Sequence, residues 1–167
     1  MKKTLFTFIF LVVASAMFAQ APIGKGQAQI NAGLGFSSWG VPVYAGVDFG
    51  VHEDITVGGE LSFRSYRDNY SGTKYNHSII GISGNGNYHF NTILDIPSEW
   101  DLYAGINLGF YIWSTSDSGY EGDKSSGFGL GAQAGGRYYF NDKFGVNLEF
   151  GGGNAFSGGK VGISIRL

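Results

Sequence analysis

The sequence predicts an all-β fold, eight antiparallel strands closed up-and-down into a small barrel, behind a leader that is removed. Three observations point there. Beyond the leader, nearly every stretch alternates apolar and polar residues with period two, the strand signal, and no window keeps a helical period. Glycine supplies 29 of 167 residues, against a usual share of about 7%. Charged residues are 14% and aromatics 16%, where ordinary soluble domains carry about 25% charged.

The leader comes first. Met1, Lys2 and Lys3 give a short positive start, and Leu5 to Phe18 is apolar except for Thr7 and Ser15. Ala19, Gln20 and Ala21 follow as an A-x-A-like cleavage site, the order of a secretory signal peptide. The apolar run is shorter than the roughly 20 residues a membrane helix needs. Residues 1–21 are therefore assigned as the signal, with cleavage after Ala19 or Ala21, and residues 22–167 as one barrel domain. The mature segment holds 9 basic and 13 acidic residues, a formal charge of −4. It has no basic stripe, which argues against nucleic acid as a partner. It has no cysteine, so burial and hydrogen bonds must hold the fold without disulfides.

The first strand, Gln27 to Phe36, sets Ala28, Ile30, Ala32, Leu34 and Phe36 against Gln27, Gln29, Asn31, Gly33 and Gly35. The second, Val43 to Val51, sets Val43, Ala45, Val47, Phe49 and Val51 against Tyr44, Gly46, Asp48 and Gly50. After a turn at His52 to Asp54, the third sets Ile55, Val57, Gly59, Leu61 and Phe63 against Thr56, Gly58, Glu60, Ser62 and Arg64. The fourth is the least regular: Ile80, Ile82, Gly84, Gly86, Tyr88 and Phe90 oppose Gly81, Ser83, Asn85, Asn87 and His89. The fifth runs from Trp100 to Trp113, with Leu102, Ile106, Leu108 and Phe110 opposite Asp101, Tyr103, Asn107 and Tyr111. In the sixth, Phe128, Leu130, Ala132, Ala134, Tyr138 and Phe140 oppose Gln133, Arg137, Tyr139 and several glycines. The seventh sets Phe144, Val146, Leu148 and Phe150 against Gly145, Asn147 and Glu149. The eighth sets Val161, Ile163, Ile165 and Leu167 against Lys160, Gly162, Ser164 and Arg166.

Composition says which face is inside. A soluble barrel would carry many Lys, Glu and Thr on its outer face, but here the polar face is mostly Gly, Asn, Gln and Ser, which suits a cramped polar interior. The apolar faces begin or end in aromatics such as Phe36, Phe63, Trp100, Phe110, Phe128 and Phe140. Aromatic girdles around an apolar band mark a membrane-spanning barrel. No charged side chain lies on a lipid face in this register, whereas a one-residue slip of the third strand would put Glu60 and Arg64 there. An Arg at the midplane costs about 2–4 kcal/mol, so the register is strongly specified. With both termini periplasmic, His52 to Asp54 and Asn141 to Lys143 are the expected short turns. Ser65 to Lys74, Ser114 to Ser126 and Gly151 to Gly159 are the expected outer loops. Two connections break this pattern: Asn91 to Glu99 is long and carries Ile93, Leu94, Ile96 and Pro97, and Ser37 to Pro42 is short.

With its signal, alternating strands, glycine-rich polar face and final strand, the chain resembles the small outer-membrane barrels, the group of outer membrane protein X and the membrane domain of outer membrane protein A. The resemblance covers nearly all of the mature chain and rests on pattern and length. It implies a location in the outer membrane of a Gram-negative-type bacterium, a monomer, and two partners, outer-membrane lipid and the barrel assembly machinery. Members usually end in an aromatic residue, where this sequence has Leu167.

An eight-stranded barrel is just wide enough for its side chains to fill it. The expected lumen charge network is Asp48, Glu60, Arg64, Arg137, Glu149 and Arg166. Arg137 falls diagonal to Glu149 and Asp48 diagonal to Glu60, within reach for pairing. The two carboxylates of the second hairpin then need a cation, from Arg137 or Arg64. A salt-bridged plug is the expected role, and a narrow wet channel or transporter for small or apolar solutes is the alternative. A lipid-modifying enzyme would need a nucleophile, a His and an acid in contact. His77 and Ser78 are neighbours and so face opposite ways, while His52 and His89 sit near the periplasmic rim. No catalytic residue, cofactor or metal site is expected from the scattered histidines and absent cysteines. Gly129 to Ala134 fits a dinucleotide fingerprint but lies within a strand and lacks the helix that motif needs. Specific function falls to the outer loops, with Tyr66, Arg67 and Tyr70 in one and Tyr120, Glu121 and Asp123 in another, for a surface ligand the sequence does not name.

Overall fold

The computed structural model describes residues 23–37, 40–70, 73–115, 126–154 and 157–167. The signal assignment and Tyr120, Glu121 and Asp123 lie outside the described residues. The strands are β1 (Ala28–Ser37), β2 (Val43–His52), β3 (Ile55–Tyr70), β4 (Thr73–His89), β5 (Trp100–Thr115), β6 (Gly127–Tyr139), β7 (Phe144–Gly153) and β8 (Gly158–Arg166). They form one closed antiparallel barrel in sequence order, β8 pairing back onto β1 from Gln29↔Arg166 to Ser37↔Gly158. Closure leaves no free edge, so each strand finds ladder partners on both sides. The start of β1, the end of β8 and the β2–β3, β4–β5 and β6–β7 connections share one end, the turn end. The other connections share the loop end.

The molecule is inside out relative to a soluble domain. Leu34, Val43, Leu61, Ile82, Ile106, Leu108, Leu130 and Ile163 all face outward and are exposed. Buried positions are mostly polar, among them Gln29, Asp48, Thr56, Asn87, Asp101, Gln133, Arg137 and Asn147. Outward aromatic rings meet near both ends: Phe110 and Phe128 at 5.2 Å near the loop end, Trp100 and Tyr138 at 4.7 Å near the turn end. This is the girdled apolar band of a membrane barrel.

The lumen glycines have a steric reason. The bulky inward residues are tyrosines, and each lies across a glycine on a nearby strand. A Cβ at Gly135 would stand 2.5 Å from the Tyr103 hydroxyl oxygen, and one at Gly81 would stand 2.9 Å from the Tyr111 ring. Tyr44 reaches across β1 to Gly162 in the same way, where a Cβ would meet its hydroxyl at 2.6 Å. Small residues under large rings let so narrow a barrel enclose them.

Two expectations are corrected. Ser65 to Lys74 is not an outer loop, because β3 continues through Tyr70 and β4 begins at Thr73, paired Tyr66↔His77, Arg67↔Asn76 and Tyr70↔Thr73. Tyr66, Arg67 and Tyr70 are therefore strand residues. Tyrosine favours strands, and Arg67 Nε donates to Asn76 Oδ1 across the hairpin at 2.9 Å. The polar, charged residues beyond Arg64 carry no apolar alternation, so the pattern itself ends there while the strand continues. The second difference is the β4–β5 connection, which contains one helical turn, α1 (Asn91–Leu94), closed by Asp95 in the left-handed conformation at φ 52°.

Candidate functional site: the barrel lumen

Two cations organise the interior, each held between two carboxylates from other strands. Nearer the turn end, Arg137 of β6 forks its guanidinium, with Nη1 on Asp101 Oδ2 at 2.7 Å and Nη2 on Asp48 Oδ2 at 2.8 Å. Its side chain is 3% exposed and its charged carbon lies 4.2 Å from the centre of the Tyr103 ring. A planar fork suits this double pairing better than a lysine would. Deeper toward the loop end, Lys160 of β8 donates to both Glu60 oxygens at 2.8 Å and stands 3.1 Å from Glu149 Oε1.

Neutral side chains join the two clusters. Tyr103 donates its hydroxyl to Glu149 at 2.9 Å. Tyr44 donates to Asn147, Asn147 to Ser164, and Ser164 to Asn31. Asn31 in turn donates to Asp48 at 2.8 Å. The Gln29 amide sits between Asn31 and the Tyr139 hydroxyl. A second row runs Asn107 to Gln133 to Asn87. Buried charges are tolerable only when paired and hydrogen-bonded, and both clusters meet that condition.

The space left over is small. The cavity in the loop-end half, between Tyr44, Ser62, Arg64, Asn107, Tyr111 and Lys160, has about 30 Å³, and the one between the two charge clusters about 20 Å³. A water molecule needs about 10–15 Å³, so each has room for a water or two. Near the turn end the chain before β1 folds under the barrel. Gly26 N donates to Gly50 O and Ile23 is buried at 1% exposure. Toward the loop end Ile79 is equally buried, and Tyr66 stacks on His77 at 5.0 Å with Trp113 edge-on to both at 6.0 and 6.3 Å.

The network differs in part from the expected one. Of the two cations expected for the second-hairpin carboxylates, Arg137 is the one that meets Asp48, across the lumen. Glu149 takes Lys160 rather than Arg137, and so does Glu60. Arg64 lies in the loop-end half, where its Nη1 donates to Ser37 Oγ at 3.4 Å. Arg166 lies at the turn-end rim over the Tyr139 ring, bonding the Ser98 and Asp142 carbonyls. The residues missed are Lys160 and Asp101. Both lie on the polar faces of the sequence pattern, and Lys160 directly faces Glu149 across the β7–β8 pair. Asp101 directly faces Arg137 across the β5–β6 pair, a register hidden by the long connection between those strands.

A further arrangement escaped the sequence. His89 Nδ1 meets Asp101 Oδ1 at 2.6 Å and its Nε2 meets Thr56 Oγ1 at 3.0 Å. This is hydroxyl–imidazole–carboxylate connectivity, but all three residues have no exposed surface. It therefore acts as packing beneath Arg137. Among the described residues no group of three or more His, Cys, Asp or Glu is placed to hold a metal.

A closed, girdled barrel of eight strands with a filled polar lumen defines a small membrane-spanning barrel of the outer-membrane type. The family of outer membrane protein beta-barrel domains matches over residues 6–164, and this chain belongs to that family. Its place is the outer membrane of a Gram-negative-type bacterium. Among solved structures, OprG from Pseudomonas aeruginosa is similar with a TM-score of 0.65 at 10% identity, over 88% of this chain and 99% of that one. The N-terminal β-barrel domain of Pseudomonas aeruginosa OprF gives 0.60 at 16% identity, over 86% and 99%. The Yersinia pestis outer membrane protein Ail gives 0.51 at 12% identity, over 86% and 100%. These likenesses establish the fold. No curated protein matches the chain.

Proposed function

We propose that the protein is a monomeric scaffold whose lumen is closed by its own salt bridges, serving a structural or surface-interaction role rather than catalysis or transport. The observation that carries this reading is the pair of cross-lumen clamps, Asp48–Arg137–Asp101 and Glu60–Lys160–Glu149, with cavities of about 30 and 20 Å³ beside them. Insertion falls to the barrel assembly machinery, and the long β3–β4 hairpin with Arg67, together with residues 116–125, presents the surface for an external ligand.

The test is single-channel conductance of the refolded mature protein in a planar bilayer. The wild type is expected to be silent, with current in Arg137→Ala and a larger current when Lys160→Ala is added. A steady wild-type current would overturn the plug and favour a channel. Silence in the double variant would show that the cations are not what closes the lumen.

A further inference from the structure

The β4–β5 connection breaks the rule that the turns of such a barrel are short and polar. Its exceptional residues are Ile93 and Leu94, which are 69% and 61% exposed. They are not the tip of a loose loop. The buried Asn91 donates its amide to Trp100 O at 2.6 Å, and Thr92 Oγ1 donates to Asp54 Oδ1 at 2.5 Å, tying α1 to both β5 and the β2–β3 turn. Leu94 N closes the helical turn on Phe90 O, and Ile96 N returns to Asn91 O. The chain is thus held in place while Ile93 and Leu94, two of its three large aliphatic side chains, are presented outward.

The residues bracketing the turn belong to the lipid-facing girdle. Phe90, just before α1, meets the Tyr88 ring at 5.3 Å. Trp100, just after the turn, meets Tyr138, which meets Phe140 at 5.5 Å. The apolar pair therefore continues the belt at the turn end. An amphipathic ring belt sits at headgroup level, and apolar side chains on a short interfacial segment bury just below it.

We propose that this turn is a foot seated on the phospholipid leaflet at the turn end, with Ile93 and Leu94 inserted beside the girdle. Charge narrows the lipid. The turn carries Asp95 and Glu99 and no Lys or Arg, and it abuts Asp54, against Arg166 at the Ser98 carbonyl. This acidic surround disfavours anionic headgroups, so the fit is to a zwitterionic phospholipid. The inference does not depend on whether the lumen conducts.

The experiment places a nitrobenzoxadiazole label on Ile93→Cys in the refolded barrel in phosphatidylcholine vesicles, with Asp142→Cys in the β6–β7 turn as the control. Quenching by shallow doxyl lipids is compared with quenching by aqueous iodide. The expected lipid-to-iodide ratio is several-fold higher at position 93 than at 142, and it falls when half the lipid is phosphatidylglycerol. The same label on Leu94→Cys is expected to behave alike. A label at 93 quenched by iodide as readily as at 142 would overturn the foot. A label shielded from both quenchers would also overturn it, assigning the turn to a protein contact. A ratio that rises with phosphatidylglycerol would overturn the zwitterionic preference.

Discussion

Arg137 is the residue on which most of the turn-end half of the lumen depends. It is the cation for two buried carboxylates, one on neighbouring β5 and one on β2 across the lumen, and its guanidinium lies over the Tyr103 ring. Removing one partner of a buried ion cluster costs about 3–5 kcal/mol, because the remaining charges lose their compensation. Arg137→Ala should therefore lower the folding free energy in vesicles by about that amount, read from urea or guanidinium midpoints. A loss below about 1 kcal/mol, the range of exposed pairs, would mean that water replaces the guanidinium freely. The second cluster offers a cleaner test of pairing. Lys160→Met leaves Glu60 and Glu149 facing one another, so adding Glu60→Gln to Lys160→Met should recover part of the loss. Additive effects of the two substitutions would show that the groups do not interact.

At the level of the strand, what matters is which face a position takes. Ile106 lies about midway between the girdle residues Trp100 and Phe110 of β5 on the outward face, 66% exposed. Ile106→Arg should cost about 2–4 kcal/mol at the midplane, measured by the same refolding titrations. A neutral result would mean that this side of β5 does not meet lipid. The glycines divide in the same way. Gly86 faces outward on β4 with nothing within 4 Å of where a Cβ would stand, so Gly86→Val should be neutral or stabilising by about 0.5–1 kcal/mol. Gly135 faces inward beneath Tyr103, and Gly135→Val should be strongly destabilising, since the ring is fixed by Glu149 and cannot yield. If both glycines responded alike, the assignment of faces would be wrong. The strand ends taught a different lesson. Alternation of apolar and polar residues stops at Arg64, yet β3 runs on to Tyr70, because beyond the membrane neither face needs to be apolar and hairpin pairing alone carries the strand.

For the molecule as a whole, closure converts a set of hairpins into a sealed object. The contacts that fill the lumen join residues distant in sequence: Arg137 and Asp48 are 89 apart, Lys160 and Glu60 are 100 apart. Strand parity, the inward set, the turn positions and the lipid-facing band could all be read from the chain, because side-chain direction in a strand follows local spacing of two and the solvent on each side selects composition. Which cation meets which carboxylate across the lumen could not be read, because that depends on the stagger with which eight strands close and on the height each residue then takes in the lumen. Asp101 and Lys160 face Arg137 and Glu149 on adjacent strands, whereas the links from Arg137 to Asp48 and from Lys160 to Glu60 form only on closure. The burial of Ile23 under the barrel and the alignment of Thr56, His89 and Asp101 arise likewise from the three-dimensional arrangement of the turn end, where segments with no local signal for one another are brought into contact.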